Sequence, residues 1–584
     1  MPRDAATVDN EGVAAVLDEI GDLLELKGEN VFRAVTYRAV ARAIRDLREP
    51  VADLVAQGRL AEIPKTGPSV TEAITQLVTT GTSTRHAMLK AAVPEGLVTL
   101  LRVPGVGPAT ARVIYQNLKI TTIDELEEAA KAHRLRELPK IQAKTEENIL
   151  KSIAALRQRT GRSLLHHARD AADEMIATLR SKGAQEISVA GSVRRYRETI
   201  GDIDLLVPAL DAAPIMDAFT SAPSVERVLA HGDTKSSVIV ARGLQIDLRV
   251  VPPASWGAAM LYFTGSKEHN VRLRGHALKR KLLLNEYGLY RVGAEARGQE
   301  LASRTEEDVY AALDMDWIAP ELREDHGEID AALGHALPAL VARSDIRGDL
   351  HTHTSWTDGR DELAAMARRA KALGYGYMAV TDHSPGLGMT NGLSVERIRA
   401  RVAEAKKLSV ELAPFRILVG TEVDIRANGN LDYPEEVLRD FDIVSASVHS
   451  AFGQTREVMT KRISDALRSP SVTAFSHPTG RLLERREPYA VDLDAIIDVA
   501  LETGTWLEVN GGPERLDLPD IWVRKAIERG ATLVLNSDAH AVEELDWMEY
   551  AVANARRGWA GPANVANTLG LDAMLAARKP GRWP

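Results

Sequence analysis

The middle of the chain reads Gly191-Ser192-Val193-Arg194-Arg195 and, a few residues later, Gly201-Asp202-Ile203-Asp204-Leu205-Leu206-Val207. Side chains alternate between the two faces of a β-strand, so Asp202 and Asp204 point to one face and the apolar residues beside them point to the other. In the first motif the glycine allows close approach of the backbone, while the serine and the arginines offer hydrogen-bond donors to a triphosphate. These motifs predict a sheet domain with a phosphate-binding turn.

Short β-type runs flank these motifs, at residues 186–190, 202–207, 236–241 and 245–251. In the last run, Asp247 shares a face with Gln245 and Arg249, while the residues between them point inward. Three carboxylates on adjoining strands can hold two Mg²⁺ or Mn²⁺ ions about 3.5–4 Å apart, an arrangement that serves phosphoryl transfer. A lone Asp-x-Asp is more often a solvated strand edge, but this one does not stand alone.

The chain before this sheet reads as amphipathic helices, for example over residues 13–26 and 31–47. The helices are separated by two similar turns and a weaker third copy: Ile63-Pro64-Lys65-Thr66-Gly67-Pro68, Val103-Pro104-Gly105-Val106-Gly107-Pro108 and Leu138-Pro139-Lys140-Ile141. The repetition predicts a duplicated helical unit. An ordinary helix–helix turn is the alternative, and it is stronger for the first copy, which has Lys65 where the pattern has glycine, and for the third, which has no glycine.

After a polar, Ala-rich connector at residues 325–346, strand-like runs alternate with helical stretches. The runs are residues 349–351, 377–382, 416–423, 442–448, 472–476, 505–509 and 532–536. This alternation is typical of a barrel of parallel strands. Each run ends at, or within two residues of, a His, Asp, Glu or Asn, so these side chains are expected to cluster at one rim.

Six of the chain's 15 histidines fall after His335, and all six stand beside these runs together with three spaced carboxylates. The set is His351, His353, Asp358, His383, Glu422, His449, His477, Asp538 and His540. Imidazole with bridging carboxylates suits Zn²⁺, Mn²⁺ or Fe²⁺ and argues against Ca²⁺. A buried histidine satisfied by hydrogen bonds is the alternative for any one of them, but the whole set favours a metal centre.

Farther along the middle region stand Tyr262-Phe263-Thr264-Gly265-Ser266, Asn270, Arg272 and Arg274. With the Gly-Ser-x-Arg-Arg and Gly-Asp-x-Asp motifs and Asp247, they make residues 11–324 resemble the family X DNA polymerases, the group of DNA polymerase beta. The resemblance implies that Asp202, Asp204 and Asp247 bind two Mg²⁺ or Mn²⁺ ions and that Asp247 accepts the proton of the primer hydroxyl.

The resemblance also implies contacts to the incoming nucleotide, with Arg274 contacting the template. The nucleotide contacts would be Gly191, Ser192, Arg195, Gly201, Tyr262, Phe263, Gly265 and Asn270. Tyr262 and Phe263 would line the sugar, and core packing at the end of a strand is the alternative for this pair.

The turn at Pro104 to Gly107 resembles a helix-hairpin-helix, whose backbone N–H groups bind DNA phosphates without reading bases. The glycines that expose the backbone are Gly105 and Gly107. In the family the hairpin carbonyls also hold a monovalent cation, Na⁺ or K⁺. The corresponding carbonyls here are those of Leu101, Val103 and Val106.

In DNA polymerase beta the first helical domain removes a deoxyribose phosphate through a Schiff-base lysine. When this chain is aligned with DNA polymerase beta on Ile63-Pro64 and the following helix, Ala73 falls at the position of that lysine. Ser69 falls at the position of a nearby phosphate-binding lysine. Alanine forms no imine, so no lyase activity is expected.

The C-terminal motifs resemble the polymerase and histidinol phosphatase (PHP) domain, a distorted seven-stranded barrel with up to three metal ions, here Mn²⁺ or Zn²⁺. All nine of the family's ligand positions match. The implied ligand sets are His351, His353, Glu422 and Asp538 for one metal, Glu422, His449 and His477 for the second, and Asp358, His383 and His540 for the third. Such a centre hydrolyses phosphoesters. Arg481 is a candidate to neutralise the substrate phosphate. The alternative is that Arg481 is simply a charged residue on the protein surface.

The order of these regions resembles bacterial family X polymerases. The predicted domains are an N-terminal helical domain (1–90), a helix-hairpin-helix domain (91–160), a nucleotidyltransferase palm (161–255), a thumb (256–324), a linker (325–346) and the PHP domain (347–584). The predicted fold class is therefore multidomain, with all-α hairpin domains, an α+β palm and thumb and a distorted (β/α)7 barrel.

This organisation predicts a DNA polymerase that fills short gaps in base excision repair and carries a metal-dependent 3′-5′ exonuclease, with AP endonuclease activity left open. The expected partners are primed or gapped duplex DNA and deoxynucleoside triphosphates, and the chain is expected to be a monomer. One alternative is a small-phosphomonoester phosphatase with a regulatory front half. Another is a non-catalytic DNA end-binding scaffold with decayed sites.

Composition is consistent with several soluble domains. The 584 residues predict about four domains, and the net charge of −9 excludes a uniformly basic surface, so DNA binding must use local patches. The absence of cysteine excludes disulfides, thiolate zinc sites and cysteine nucleophiles. No apolar run reaches the roughly eighteen residues of a membrane span, and residues 1–12 lack the apolar stretch of a signal peptide, so a cytoplasmic location is expected.

Overall fold

The computed structural model describes residues 10–29, 31–45, 47, 51–101, 103, 105–139, 141–159, 162–292, 298–386 and 390–579. The chain divides into two compact units, residues 1–160 and 161–584. Within the described residues, no helix combines the length and the apolar character that crossing a membrane requires.

The first unit is all-helical, as predicted. Its helices are α1 (Asn10–Lys27), α2 (Val31–Arg45), α3 (Val51–Ala56), α4 (Pro68–Thr80), α5 (Thr84–Ala92), α6 (Glu95–Leu100), α7 (Pro108–Leu118), α8 (Ile123–Lys131) and α9 (Ala143–Arg159). Local sequence explains the ends of α7: Pro108 at its first position has a preset φ, and Lys119 in the left-handed conformation ends it. The apolar faces of the helices pack into one shared core.

The second unit begins with a palm built on a five-stranded sheet of order β2-β4-β7-β6-β5. Its elements are β1 (Ser163–Leu164), α10 (Leu165–Ser181), β2 (Ser188–Val189), α11 (Gly191–Arg194), β3 (Thr199–Ile200), β4 (Asp202–Pro208), α12 (Ala213–Thr220), β5 (Val225–His231), β6 (Lys235–Val240) and β7 (Leu244–Val251). Strands β4 and β7 are parallel neighbours, whereas the other pairs in this sheet are antiparallel. The predicted β runs are present, and β5 is an additional edge strand.

The thumb region follows with α13 (Trp256–Thr264), α14 (Lys267–Lys279), β8 (Leu282–Asn285), β9 (Gly288–Arg291), β10 (Glu300–Ala302) and α15 (Glu306–Ala312). The predicted connector contains a further helix, α16 (Glu328–Leu333), and is packed against its neighbours. Glu328 is buried and lies 2.7 Å from His269 Nδ1 of α14. Val341 N donates to Ala560 O of the barrel region. The connector is thus an ordered layer between thumb and barrel.

The remaining residues form the predicted barrel, with seven parallel strands in sequence order. Its elements are β11 (Gly348–Asp349), α17 (Leu363–Ala372), β12 (Tyr377–Val380), α18 (Val395–Glu411), β13 (Arg416–Asp424), α19 (Glu435–Leu438), β14 (Ile443–Ser447), α20 (Arg456–Leu467), β15 (Ala474–Phe475), α21 (Leu493–Thr503), β16 (Trp506–Asn510), α22 (Asp520–Glu528), β17 (Leu533–Asn536), α23 (Met548–Arg557) and α24 (Leu571–Ala576). All seven strands were predicted from the sequence pattern.

The first and last strands of the barrel are joined by hydrogen bonds just past their ends. Asp538 N donates to His351 O at 3.1 Å, and His353 N donates to Ala539 O at 2.8 Å. The side chain of Asn536 accepts from Leu350 N at 3.0 Å. These bonds form a seam between the first and last strands that nearly closes the barrel, and they bring the residues after both strands to the same rim.

A buried ion cluster joins the palm to the thumb. Both oxygens of Glu306 accept from the guanidinium of Arg194 of the palm, at 2.7 and 2.8 Å, and from that of Arg323, at 2.7 and 3.0 Å. Burial opposes ionisation of Glu306, but the two arginines outweigh it and hold the pKa of this carboxyl well below its ordinary value of 4.5. The cluster therefore stabilises the fold at neutral pH and loses that contribution as the carboxyl is protonated in strong acid.

We predict that Glu306→Gln destabilises the second unit by about 3–5 kcal/mol, because it leaves the buried guanidinium of Arg323 and the half-buried one of Arg194 without a counter-charge. Urea unfolding of the full chain, followed by tryptophan fluorescence, measures the effect. Glu307→Gln, at the exposed neighbouring position, is the matched control. Equal unfolding midpoints for the two variants would contradict the assignment.

Candidate metal and nucleotide sites

Three carboxylates meet on the palm sheet. The register of β4 and β7 places Asp204 opposite Asp247 and Asp202 opposite Gln245. The apolar residues that alternate with them are buried on the other face of the sheet. The predicted juxtaposition of Asp202, Asp204 and Asp247 is therefore present.

The electrostatics of this group fit divalent cations. Burial and the neighbouring carboxylates of Asp202 and Asp247 raise the pKa of Asp204 to about 6. Burial also opposes ionisation of Asp247, but hydrogen bonds from Gln245 and Lys235 outweigh it and lower the pKa of that carboxyl. Lys235 Nζ lies 3.0 Å from Asp247 Oδ2. The three carboxylates repel one another, and this repulsion favours protonation of Asp204. A bound Mg²⁺ or Mn²⁺ ion, which prefers oxygen ligands, would neutralise the charge and remove the repulsion.

A cavity of about 520 Å³ opens beside these carboxylates. Its lining includes every residue predicted to contact the nucleotide or the template: Gly191, Ser192, Arg195, Gly201, Tyr262, Phe263, Gly265, Asn270 and Arg274. Tyr262 and Phe263 lie near the end of helix α13, with their rings edge to face and 5.1 Å apart, and not at a strand end.

The turn after β2 brings backbone close to this cavity. Gly191 has φ of +57°, and a Cβ there would collide with Asp204 Oδ2, so only glycine allows this approach. The two arginines of the turn have different surroundings. Arg194 is engaged by the buried Glu306, so the expectation that it faces a triphosphate is wrong, whereas Arg195 lines the cavity.

The barrel brings all nine predicted ligands to the rim at the carboxyl ends of its strands. Glu422 lies at the centre, with Oε1 2.8 Å from His477 Nε2 and 3.3 Å from His449 Nε2. Oε2 of the same carboxylate is 3.1 Å from His383 Nδ1. Across the seam, Asp538 Oδ1 lies 3.4 Å from His351 Nε2.

The remaining ligands complete the cluster. Asp358 Oδ2 lies 3.2 Å from His383 Nε2 and 3.7 Å from His540 Nε2. Three groups have donor atoms near enough to share an ion: His353, Asp358, His383 and His540; His351, His353 and Asp538; and His383, Glu422 and His449. Compared with the predicted sets, His353 and His383 each join a second group, and His477 contacts Glu422 without belonging to a group. The cluster can thus hold more than one ion.

Unpaired nitrogens in the cluster fit metal ligation. Within the described ranges, His351 Nε2, both ring nitrogens of His353, and His477 Nδ1 are buried without a hydrogen-bond partner. Burial, with His540 nearby, lowers the pKa of His353, which favours the neutral imidazole that binds metals. Asp538 has φ of +57° and His477 of +32°, strained conformations of a kind that cluster at functional sites.

Sequence reasoning missed Glu508, a buried residue on β16 that orients the cluster. Its Oε1 accepts from His351 Nδ1 at 2.6 Å and from Asn536 Nδ2 at 2.8 Å. Its Oε2 accepts from His477 N at 2.7 Å and from Asn510 Nδ2 at 3.1 Å. Because Nδ1 of His351 donates to the Glu508 carboxylate, Nε2 is the ring nitrogen that faces the cluster and is left to bind a metal ion. The only signal in the sequence was a charged residue inside the otherwise largely apolar strand run at residues 505–509.

The two arginines near the cluster differ from the sequence-based expectation. Arg481 is buried, donates to the carbonyls of Arg515 and Leu516, and lies 3.0 Å from Glu198 of the palm, so it is not a surface charge. Arg515 has Nε 3.4 Å from Asp538 Oδ2 and is the arginine that faces the ligands. No motif in the sequence marked it.

The second predicted hairpin turn joins α6 to α7. Gly105 has φ of +90° and Gly107 immediately precedes the first turn of α7. Val106 N donates to Val103 O at 2.9 Å, which leaves one lone pair on that carbonyl. Leu101 is described, while Pro104, like Lys140 of the third copy, lies outside the described residues.

The first turn has the same backbone form as the second. Lys65 has φ of +67°, close to that of Gly105, although a lysine pays a steric cost there that glycine avoids. The missing glycine, which favoured an ordinary turn in the first copy, is therefore not a reliable sign against a hairpin.

Comparison with known proteins extends these findings. The chain is 36% identical over 570 residues to the DNA polymerase/3′-5′ exonuclease PolX of Bacillus subtilis (strain 168), a match that covers 97% of this chain and 99% of that protein. The chain is a family X DNA polymerase. Residues 259–324 of this polymerase match the DNA polymerase beta thumb, residues 8–83 a helix-hairpin-helix domain, residues 97–155 a SAM-like helix-hairpin-helix tandem, and residues 349–510 the PHP domain.

All three turns of the helical unit thus fall within helix-hairpin-helix matches, including the copies that lack the glycine pattern. The polymerase is also similar to a probable phosphatase of Thermoanaerobacter sp. (strain X514), with 29% identity over 218 residues, which are 35% of this chain and 83% of that protein. A probable phosphatase of Caldanaerobacter subterraneus subsp. tengcongensis shows 28% identity over 217 residues, or 35% of this chain and 80% of that protein.

We predict that Glu508→Gln lowers the metal affinity of the barrel by about 10–100-fold, because an amide nitrogen cannot accept the two donors that one carboxylate oxygen accepts. Titration of the metal-free protein with Mn²⁺ and with Zn²⁺ measures the affinity directly. Glu502→Gln, exposed on α21, is the control. Unchanged affinity in the Glu508 variant would show that this carboxylate does not orient the ligands.

Proposed function

We propose that this polymerase fills short gaps in DNA during base excision repair and that its barrel degrades DNA from the 3′ end. The observation that carries the proposal is that both predicted ligand sets converge in one chain, three carboxylates beside a nucleotide-sized cavity and nine ligands in a barrel rim. Similarity along almost the whole chain to a polymerase with a named 3′-5′ exonuclease activity supports it.

In the palm, Asp202, Asp204 and Asp247 would hold two Mg²⁺ or Mn²⁺ ions. When bound, these ions activate the attacking hydroxyl and stabilise the leaving oxygen of phosphoryl transfer. Asp247 accepts the proton of the primer 3′-hydroxyl. For this, its Oδ2 must give up its contact with Lys235, 3.0 Å away, when primer and nucleotide are present.

The cavity residues bind the incoming deoxynucleoside triphosphate. Ser192, Arg195 and the Gly201 amide hold the phosphates, and Tyr262 and Phe263 line the sugar. Asn270 contacts the base. Its Nδ2 donates to Tyr262 O at 2.7 Å, and this hydrogen bond keeps the side chain at the cavity. Arg274 contacts the template. The hairpins hold the DNA backbone, and the carbonyls of Leu101, Val103 and Val106 would hold Na⁺ or K⁺.

In the barrel, the nine ligands would hold up to three Mn²⁺ or Zn²⁺ ions. When bound, the ions polarise the scissile phosphate and lower the pKa of water toward neutrality. Arg515 faces Asp538 and supplies positive charge to the phosphate, the role the sequence had suggested for Arg481. The polymerase acts as a monomer on primed or gapped duplexes.

We predict that the two activities separate by mutation. Asp204→Ala should reduce nucleotide incorporation on a gapped duplex at least about a hundredfold and spare 3′-5′ degradation, because it removes a ligand of the palm alone. His353→Ala should have the reverse effect. Primer extension and degradation, each with Mg²⁺ and with Mn²⁺, are the measurements.

Two exposed residues provide controls for this pair. Asp211→Ala in the palm and His335→Ala in the connector should leave both activities intact. Loss of both activities in one ligand variant, with unchanged circular dichroism, would show that the sites do not act independently.

Similarity to probable phosphatases favours one second candidate, hydrolysis of a small phosphomonoester by the barrel. Rates on p-nitrophenyl phosphate and on a DNA 3′ end decide between the two. Faster turnover of the small ester, with no degradation of DNA, would favour the phosphatase.

The helical unit contains a cavity of about 250 Å³ at the place where the family's lyase chemistry is expected. It is lined by Arg33, Tyr37, Ser69, Glu72, Ala73, Gln76, Thr84, Arg85 and Met88, and none of these described residues is a lysine. Lys65 is exposed in its turn, and Lys90 Nζ lies 3.4 Å from Glu19. Neither lysine belongs to the lining.

We predict that borohydride traps no covalent adduct between this polymerase and DNA with a 5′-deoxyribose phosphate, because the cavity offers no primary amine to form the imine. DNA polymerase beta serves as the positive control. An adduct that disappears in Lys65→Ala or Lys90→Ala would overturn this expectation.

A further inference from the structure

The guanidinium of Arg195 is held in place from outside the palm. Its Nε lies 3.1 Å from Glu324 Oε1, and its Nη1 donates to Thr264 O. The same oxygen of Glu324 accepts from Arg557 Nη1 at 3.1 Å. Arg557 is the last residue of helix α23 in the barrel region, so one carboxylate oxygen links the nucleotide cavity to the barrel.

Arg557 also holds the backbone of the palm turn. Its Nη1 donates to the carbonyl of Arg195 at 2.7 Å, and its Nη2 donates to Asp520 Oδ2, at the start of α22, at 2.6 Å. The Arg557 side chain is only 2% exposed. The planar guanidinium thus donates to three acceptors at once: the Glu324 carboxylate, the Arg195 carbonyl and the Asp520 carboxylate. Its fixed geometry orients all three, which the flexible ammonium of a lysine cannot do.

The palm turn needs such support because its conformation is strained. Tyr196, directly after Arg195, has φ of +53°, which a tyrosine rarely adopts. Its hydroxyl donates to Glu549 Oε1 at 2.5 Å, in the first turn of the same helix α23. Arg169 of the palm lies 2.9 Å from the same carboxylate oxygen. Both ends of α23 therefore clamp the turn that presents Arg195.

We propose that Arg557 of the barrel is a positioning residue for polymerisation, which fixes Arg195 toward the triphosphate through Glu324 and the Arg195 carbonyl. The proposal rests on the proposed function, in which Arg195 binds the incoming nucleotide. It makes the barrel part of the nucleotide-binding machinery, separately from its own hydrolytic site. Arg557 contributes no atom to the nucleotide cavity, so its effect must pass through Arg195.

The test compares Arg557→Met, Arg195→Ala and the double variant in gap filling. Because Arg195 binds the nucleotide before reaction, Arg557→Met should raise KM for the deoxynucleotide about tenfold with less than a twofold change in kcat. In the Arg195→Ala background the same change should have no further effect. Equilibrium binding of a nucleotide to the protein with Ca²⁺ in place of Mg²⁺ should weaken by the same factor.

Three controls keep the outcome decisive. Arg556→Met alters the neighbouring residue of α23, whose partners are Glu321 and Val341 O, and should leave KM unchanged. The 3′-5′ exonuclease rate should stay within twofold, which shows that the barrel is folded. If Arg557→Met does not fold, Arg557→Lys retains the charge without the fork and should still raise KM.

The results separate the two proposals. If Arg195→Ala leaves KM unchanged, the proposed nucleotide contact is wrong. If Arg195→Ala raises KM but Arg557→Met does not, or if their effects multiply in the double variant, the positioning role of Arg557 is overturned.

Discussion

Parallel pairing between strands that are distant in sequence is the interaction on which both sites depend. In the palm, β4 and β7 are adjacent, and their backbone register alone sets Asp204 opposite Asp247. In the barrel, seven parallel strands carry their ligands to one rim, and the seam from His351 to Ala539 brings the two ends together. A slip of one residue in either place would turn ligands to the opposite face, so the ladder hydrogen bonds specify the chemistry.

Burial makes these sites costly to assemble and selective once assembled. Most of the barrel ligands are buried away from water, so their negative charges and unpaired nitrogen lone pairs favour a bound cation. Residues around the ligands offset part of this cost, as when Glu508 orients His351 and receives the main-chain N–H of His477. Glu306 differs in one respect, because two arginines of the chain itself neutralise its charge and no metal ion is needed.

Fusion of the barrel to the polymerase core has structural consequences beyond proximity. The connector packs as a layer, with Glu328 buried against His269 of the thumb. Helix α23 contacts the palm at both of its ends, through Glu549 and Arg557. Six of the predicted metal ligands are carboxylates, so bound cations would offset much of the net charge of −9 and reduce its repulsion of DNA.

The sequence by itself determined the barrel strands, most of the palm strands and the chemistry of the ligands. Strand alternation, the seven runs, and the histidines and carboxylates beside them are local patterns, and they predicted the barrel, the palm motif and its ligands. Strand β5 was not predicted, because its side chains are largely exposed and its sequence shows no alternation of apolar and polar residues. Tertiary structure alone decided that Glu508 and Arg515 face the metal ligands, that Arg194 and Arg481 turn away, and that Arg557 reaches the palm. Each of these assignments depends on which distant backbone lies within hydrogen-bonding distance, and that information is absent from local periodicity.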